Sequence, residues 1–306
     1  MQRIEGEAPP ETGTRTGAVL LTAVGIAACL VGLAVDSRFI EPRRICLERI
    51  DIPIWNLPVA FDGYRIAIVS DLHYPRWTTR EFIHRGLAVA NGFQPDLIAV
   101  LGDVCDLGFN EPAEIPILAG LFDSACATDG LVGVLGNNDH RFDMQQLRRE
   151  FAVHTPIRLI ENTSICLARG GEMLVIGGIG DLAHGLVAPE RTFLGVPPHV
   201  SRVLLSHNPD MADQMPANIQ VDIQLSGHTH GGQICLPFGR AIVVPSRYGN
   251  KFRAGLVRGK RNRVYISRGV ASSHHIRFCC PPEVSGITLR RSTDLRHARW
   301  NLAESE

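Results

Sequence analysis

The most constraining feature of this sequence is a pattern that occurs five times: a short apolar run stops at residues able to bind a metal or a phosphate. Arg65–Val69 is followed by Ser70-Asp71-Leu72-His73, and Leu97–Leu101 by Gly102-Asp103-Val104-Cys105-Asp106. Leu131–Leu135 leads into Gly136-Asn137-Asn138-Asp139, and Val203–Leu205 into Ser206-His207. Val221–Leu225 ends in Ser226-Gly227-His228-Thr229-His230-Gly231-Gly232. Apolar runs this short, bounded by Gly and polar residues, predict buried strands. In an open α/β sheet the strand C-termini gather along one edge, and ligands sit there. The pattern therefore predicts an α/β fold with one site built from several strand ends.

Taken singly, each piece has a plain structural reading. A Gly-Asp pair is commonly a turn, and a lone His is commonly a satisfied core residue. Two Asp, one Asn and four His at strand ends are not explained that way. His228 and His230 alternate on an extended segment and project the same way, and the glycines after them permit close approach. Carboxylate oxygen and imidazole nitrogen suit Mn, Fe or Zn rather than a soft thiolate site. A single carboxylate can bridge two cations about 3.5–4 Å apart, the arrangement of two-metal phosphoester chemistry.

The rest of the chain supplies the frame. Helical spacing predicts helices over Thr79–Asn91, Ala113–Ala127 (starting late because of Pro116) and Met144–Phe151. Further short strands are expected at Ile165–Leu167, Met173–Ile179, Ile242–Val244, Val264–Ser267 and Ile287–Leu289. A polar tail covers 1–17. Residues 36–62, with Pro42, Pro53 and Pro58, are expected to be a connecting segment. The catalytic domain is expected over 63–291, with a surface tail at 292–306.

Composition excludes several classes. The chain has 306 residues, 45% apolar and 20% charged, which rules out a disordered or collagen-like polymer. Its 31 basic and 31 acidic residues balance, so no nucleic-acid binding driven by phosphate neutralisation is expected. Eight cysteines without a C-x-x-C pair are not a disulfide scaffold and lean towards a reducing compartment. Ala18–Val35 is apolar apart from Thr22 and two glycines, and its 18 residues reach the length of a membrane-spanning helix. It is long for a signal-peptide core and lacks an A-x-A site, so an uncleaved single-pass anchor in the cell (inner) membrane is expected over a cleaved signal. Arg38, Arg43, Arg44 and Arg49 follow the run, against Arg3 and Arg15 before it, which places the following domain in the cytoplasm.

The motifs D-x-H, G-D-x-x-D, G-N-x-D, S-H and G-H-T-H-G-G resemble the calcineurin-like metallophosphoesterases, over roughly Gly63 to Arg290. Gly227–Ile234, Ser267-Arg268-Gly269 and Pro282-Glu283-Val284 are similar to the membrane-linked or exported bacterial branch often called YkuE/YaeI-like. The resemblance implies a four-layer α/β/β/α sandwich with two divalent metals at the edge of its central sheets. It implies that Asp71, His73 and His230 hold one metal, that Asp103 bridges, and that Asn137, His207 and His228 complete the other. Asp139 would fix the loop, and Asp106 would serve a turn or a supporting role rather than ligation.

One position departs from the family. Many members carry His where this chain has Asn138, near the leaving-group oxygen. Asn can donate a hydrogen bond but cannot deliver a proton, and general-acid help contributes about 10²–10⁴-fold. His140 would substitute only if the loop turned it inward. The change disfavours poor alkoxide leaving groups more than a nucleotide phosphate. Trp77 and Phe109 could rim the pocket, and His274, His275 and Arg277 could touch substrate, though packing or surface positions account for them equally well. Cys105 is not read as a ligand, although it neighbours Asp103 in sequence. The expected activity is hydrolysis of a phosphodiester or pyrophosphate, with a lipid-linked substrate such as a UDP-linked acylated sugar as one option. Two further readings are an exported broad-specificity phosphodiesterase and a catalytically silent metal-binding scaffold.

Overall fold

A computed structural model describes residues 12–106, 115, 117–184, 187–237 and 239–294. Helix α1 (Thr12–Val35) carries the apolar run, and Leu20–Val35 are exposed throughout, packing on nothing among the described residues. It is long and apolar enough to cross a membrane, by length and composition. Two short helical turns, Asp36–Ile40 and Glu41–Arg43, join it to the body. Glu41 anchors this junction: its buried carboxylate accepts from the backbone N of Cys279 at 3.0 Å and from that of Cys280.

Two six-stranded sheets form the body. The first contains β1 (Cys46–Trp55), β2 (Arg65–Val69), β4 (Leu97–Leu101), β6 (Leu131–Val134), β7 (Ile157–Leu159) and β14 (Glu283–Ser292). Its order is β1-β14-β2-β4-β6-β7, parallel except where β14 meets β2. The second contains β8 (Thr163–Arg169), β9 (Glu172–Gly178), β10 (Ser201–Leu205), β11 (Ile223–Ser226), β12 (Gly255–Arg258) and β13 (Arg263–Ile266). Its order is β12-β13-β11-β10-β9-β8, with both edge strands antiparallel to a parallel centre. A two-residue ladder, β3 (Tyr74–Pro75) with β5 (Cys105–Asp106), ties the first two motif loops together.

Alternation within each strand sorts side chains between layers. Ile66, Ile68, Leu97, Ala99 and Leu101 face Ile176, Val203, Leu205, Ile223 and Leu225 between the sheets. Ala67, Val69, Ile98 and Val100 turn the other way, onto Ile83 and Leu87 of α2 (Arg80–Gly92) and Leu147 and Phe151 of α3 (Met144–His154). Val175 and Leu204 pack outward against Phe193, Met211 and Met215. The result is the four-layer sandwich. Thr79 caps α2 by accepting from Phe82 N, and Asp143 caps α3 by accepting from Gln145 N and Gln146 N.

Three expectations are corrected. Within 36–62, Cys46–Trp55 forms an edge strand with Ile50, Ile52 and Ile54 alternating inward; Pro53 is tolerated because an edge strand spares one row of backbone donors. The described part of 113–127 is turns rather than helix: Gly120 adopts φ +74°, and Leu118, Leu121 and Phe122 are buried from an irregular path. Residues 113, 114 and 116 of that stretch lie outside the described residues, as do 1–11 and 295–306 of the two tails. Ile242–Val244 is not a strand; Ile242 and Val243 are exposed beside a single bridge from Cys235 to Ala241.

Candidate metal centre

The ends of β2, β4 and β6 from one sheet, and of β10 and β11 from the other, meet along one edge. The loops leaving them turn sharply. Asp71, His73, Asp103, His228 and His230 all adopt positive φ, between 46° and 70°. That region costs a non-Gly residue on the order of 1–3 kcal/mol and persists only where surroundings enforce it. The enforcement is visible. Asp71 N donates to Gly102 O (3.0 Å) and His73 N to Asp103 O (2.9 Å), while His228 N reaches both Asp71 oxygens at 3.1 Å. At Gly136 a Cβ would lie 2.3 Å from Asp103 Oδ1, so only glycine lets these loops close.

Two donor groups result: Asp71, His73 and His230, and Asp103, His207 and His228, each with its donor atoms within 4.8 Å of one another. In the first, His73 Nε2 lies 3.1 Å from His230 Nε2, and His230 Nε2 lies 3.6 Å from Asp71 Oδ1. In the second, His228 Nδ1 lies 3.2 Å from His207 Nε2, and Asn137 Oδ1 also sits 3.2 Å from that nitrogen. Asp103 faces both: its Oδ2 is 3.4 Å from His207 Nε2 and 3.6 Å from His73 Nε2.

Outer hydrogen bonds set the ring orientations. His207 Nδ1 donates to Leu101 O at 2.7 Å, so Nε2 is the nitrogen that turns inward. His73 Nδ1 donates to Asp106 Oδ2 at 3.2 Å, with the same effect on its Nε2. The other Asp106 oxygen is held by Arg141 (3.2 Å) and Arg76 (3.7 Å). Ser70 Oγ donates to Asp71 Oδ2 at 2.6 Å.

Without cations the centre is charged internally. Burial opposes charge on Asp103, but His207 beside it drives that carboxylate well below the usual range. In return, and against burial, Asp103 lifts His207 to about 10. Burial and the charge of His207 lower His228, and burial lowers His230 to about 3. Burial and Asp103 raise Asp139 to about 7.

The other anticipated residues have different fates. Asn138 Nδ2 donates to Asp103 Oδ2 and its backbone N to Oδ1. Asp139 accepts from Cys105 N and Gly136 N, both at 2.8 Å, pinning two motif loops together. His140 is not brought onto either donor group: its Nδ1 donates to Gly136 O, and its ring stacks on His184. Cys105 is buried, with its thiol pushed up by burial. Trp77 packs against the rings of His274 and His275, and Phe109 lies outside the described residues. Arg277 is fully buried rather than at the surface. It donates to His230 O, Cys280 O and Arg268 O, and so builds the His230 loop. Sequence reasoning passed over Ser70 and misplaced Arg277, because a hydroxyl after a strand and an isolated arginine carry no local signal of what they touch.

The donors suit two divalent cations. All are N or O, four rings present nitrogen inward, and one carboxylate faces both groups. Comparison with known proteins agrees. The sequence pattern of the family described as "Calcineurin-like phosphoesterase" matches residues 64–232, just over half of the chain. YkuE of Bacillus subtilis, named as an uncharacterized metallophosphoesterase, is 30% identical over 83% of this chain and 88% of its own. The phosphodiesterase YaeI of Escherichia coli is 30% identical over 74% and 82%. LpxG of Chlamydia trachomatis, named as a UDP-2,3-diacylglucosamine pyrophosphatase, is 26% identical over 87% and 97%. The chain therefore belongs to the calcineurin-like phosphoesterases, metal-dependent hydrolases of phosphoric esters.

Proposed function

We propose that this chain is a membrane-anchored phosphodiesterase or pyrophosphatase working with two divalent cations (Mn, Fe or Zn). Asp71, His73 and His230 hold one cation, and Asn137, His207 and His228 the other. Asp103 is shared, and the observation that carries the reading is its single oxygen facing His73 and His207 together. Cations held there would supply positive charge for the phosphoryl oxygens and would lower the pKa of the attacking water. The protein's own part is orientation. Asp106 and Leu101 aim the rings, Asp139 holds the loops, and Asn138 steadies Asp103.

Asn138 has no proton to give, and His140 is engaged with Gly136. A leaving group that departs as a stable anion fits that limit, and a nucleotide phosphate is such a group. The relative named as a UDP-2,3-diacylglucosamine pyrophosphatase supports a UDP-linked acylated sugar as substrate. Helix α1 supports a single-pass protein of the cell membrane, with the substrate in the same bilayer. The four arginines after the helix support a cytoplasmic side for the domain.

The test uses full-length protein in neutral detergent, stripped of metal and reloaded with Mn, Fe or Zn. Bis-p-nitrophenyl phosphate and a UDP-linked diacylglucosamine are the substrates, beside His228→Ala. Metal-dependent turnover that disappears in the variant supports the reading. Two cations bound per chain with no turnover of either substrate sinks it in favour of a silent scaffold.

A further inference from the structure

A second cavity, of about 360 Å³, lies where the membrane helix joins the body. Four arginines line it: Arg38 and Arg43 from the junction, Arg76 from the loop after the D-x-H motif, and Arg85 from α2. None of its described lining residues is Asp or Glu, in a chain whose basic and acidic residues balance overall. Arg38, Arg43 and Arg85 spend hydrogen bonds on the backbone oxygens of His275, Phe39 and Arg43, which leaves their charge uncancelled. Among the described residues, the one of the four with an ion pair is Arg76, with Asp106 at 3.7 Å.

Each guanidinium also lies over an aromatic ring. Arg76 sits 4.7 Å from the Trp77 ring centre, Arg85 5.3 Å from that of Phe82, and Arg38 and Arg43 5.3 and 5.9 Å from that of Phe39. Beyond the one backbone bond that Arg38, Arg43 and Arg85 each make, stacking keeps their guanidinium forks edge-on to the cavity, in the geometry that matches the oxygens of a phosphate. Trp77 and Phe82 line the cavity as well, so the anion has an apolar wall beside it.

Position narrows the ligand further. Arg38 and Arg43 follow the last residue of α1 by three and eight positions, the level at which a spanning helix meets lipid phosphates. The segment that receives the junction, through Arg277 N to Ser37 O, also pairs Phe278 O with Cys235 N. Cys235 opens a loop whose Leu236, Ile242 and Val243 are exposed by 53%, 64% and 69%. The cavity also adjoins the metal centre: Trp77 N donates to His73 O, and Ala271, next to the lining Ser272, donates to Asp71 O.

We propose that this cavity seats the phosphate of an anionic acyl lipid at the bilayer surface, beside the metal centre. The lipid is either a bilayer phospholipid or the acylated substrate itself. The substrate assignment rests on the phosphoesterase reading above; the binding does not, because it is measured without metal or turnover.

Full-length, metal-stripped protein in neutral detergent is titrated with dihexanoyl phosphatidylglycerol, dihexanoyl phosphatidylcholine or inorganic phosphate, followed by calorimetry. Phosphatidylglycerol is expected to bind about tenfold or more tighter than the other two, and less tightly as salt rises. Arg43→Gln with Arg85→Gln is expected to weaken it by about tenfold or more, whereas the paired Lys variants keep most of the affinity. Thermal melting of each variant serves as the folding control, and manganese-loaded turnover of bis-p-nitrophenyl phosphate stays unchanged. In lipid nanodiscs, a rise in KM for a lipid-linked pyrophosphate in pure phosphatidylcholine assigns the site to the substrate. A rise only with phosphatidylglycerol present assigns it to the bilayer. Equal binding of the three probes, or undiminished phosphatidylglycerol binding by a folded Gln variant, overturns the proposal.

Discussion

Asn138 closes on Asp103 with both of its donors: Nδ2 reaches Oδ2 at 2.7 Å, and the backbone N reaches Oδ1 at 2.8 Å. Asp103 Oδ2 is also the atom that faces His73 and His207, so Asn138 steadies the carboxylate where the two donor groups meet. In Asn138→Ala the backbone donor survives and the side-chain donor is lost. The variant is expected to keep its fold and lose about tenfold in kcat. Asn138→His restores a proton donor and is expected to gain most on alkyl esters, by about tenfold or more relative to p-nitrophenyl esters. Turnover of a paired alkyl and aryl diester series measures this, and an unchanged ratio would refute the proton-donor argument.

Asp106 orients His73 without being one of the six clustered donors. Asp106→Ala removes the acceptor for Nδ1–H and frees Arg76 and Arg141. Metal affinity is expected to fall about 10–100-fold, with Asp106→Asn intermediate because its amide oxygen still accepts. Competition against a chelator, read by metal content per chain, decides it. Equal retention in all three proteins would show that the ring is held by packing alone.

Metal uptake is expected to release a proton. In the metal-free centre Asp103 holds His207 protonated up to about pH 10, despite burial. A ligating ring must be neutral, so below that value a cation displaces the proton and its affinity climbs as pH rises; above it the climb stops. At pH 8, calorimetry in buffers of differing ionisation enthalpy is expected to show about one proton released per chain from this ring. No buffer dependence at that pH would mean that His207 is already neutral before metal arrives.

Glycine requirements near the site are testable by contrast. A Cβ at Gly136 meets Asp103 Oδ1 and N at 2.3 and 2.5 Å, and neither can move without displacing the shared carboxylate. Gly136→Ala is expected to cost about 1–3 kcal/mol and to reduce metal content. Gly92, the last residue of α2, has nothing within 4 Å and no positive φ. Gly92→Ala is expected to be stabilising by about 0.5–1 kcal/mol. Thermal melts of metal-loaded and metal-free protein separate the two effects; similar behaviour of both variants would remove the steric argument.

How far the sequence could be read depended on whether a signal was local. The strands before the five motifs, and α2 with its Thr79 cap, are legible because periodicity and punctuation act within a few residues. Strand β1 was masked by its prolines, although Ile50, Ile52 and Ile54 alternate; whether Pro53 is allowed depends on the strand being at an edge, which is a property of the sheet. Residues 117–127 carry apolar residues enough for a helix, yet they bury Leu118, Leu121 and Phe122 from turns, because Gly120 takes a left-handed conformation. Arg277 looked free in one dimension and is a buried scaffold in three.

The sequence by itself determined the layered α/β class and which seven Asp, Asn and His residues reach the sheet edge, because a strand that ends in Asp, Asn or His delivers that residue there whatever its neighbours are. Only the tertiary structure decided how those residues combine. Asp103 faces both groups, Asn138 is committed to Asp103, Asp106 lies behind His73, and four arginines from three segments converge at the base of the helix. Such pairings join positions far apart in the chain. They follow from how the two sheets pack and how the loops turn at positive φ, and no local spacing encodes either.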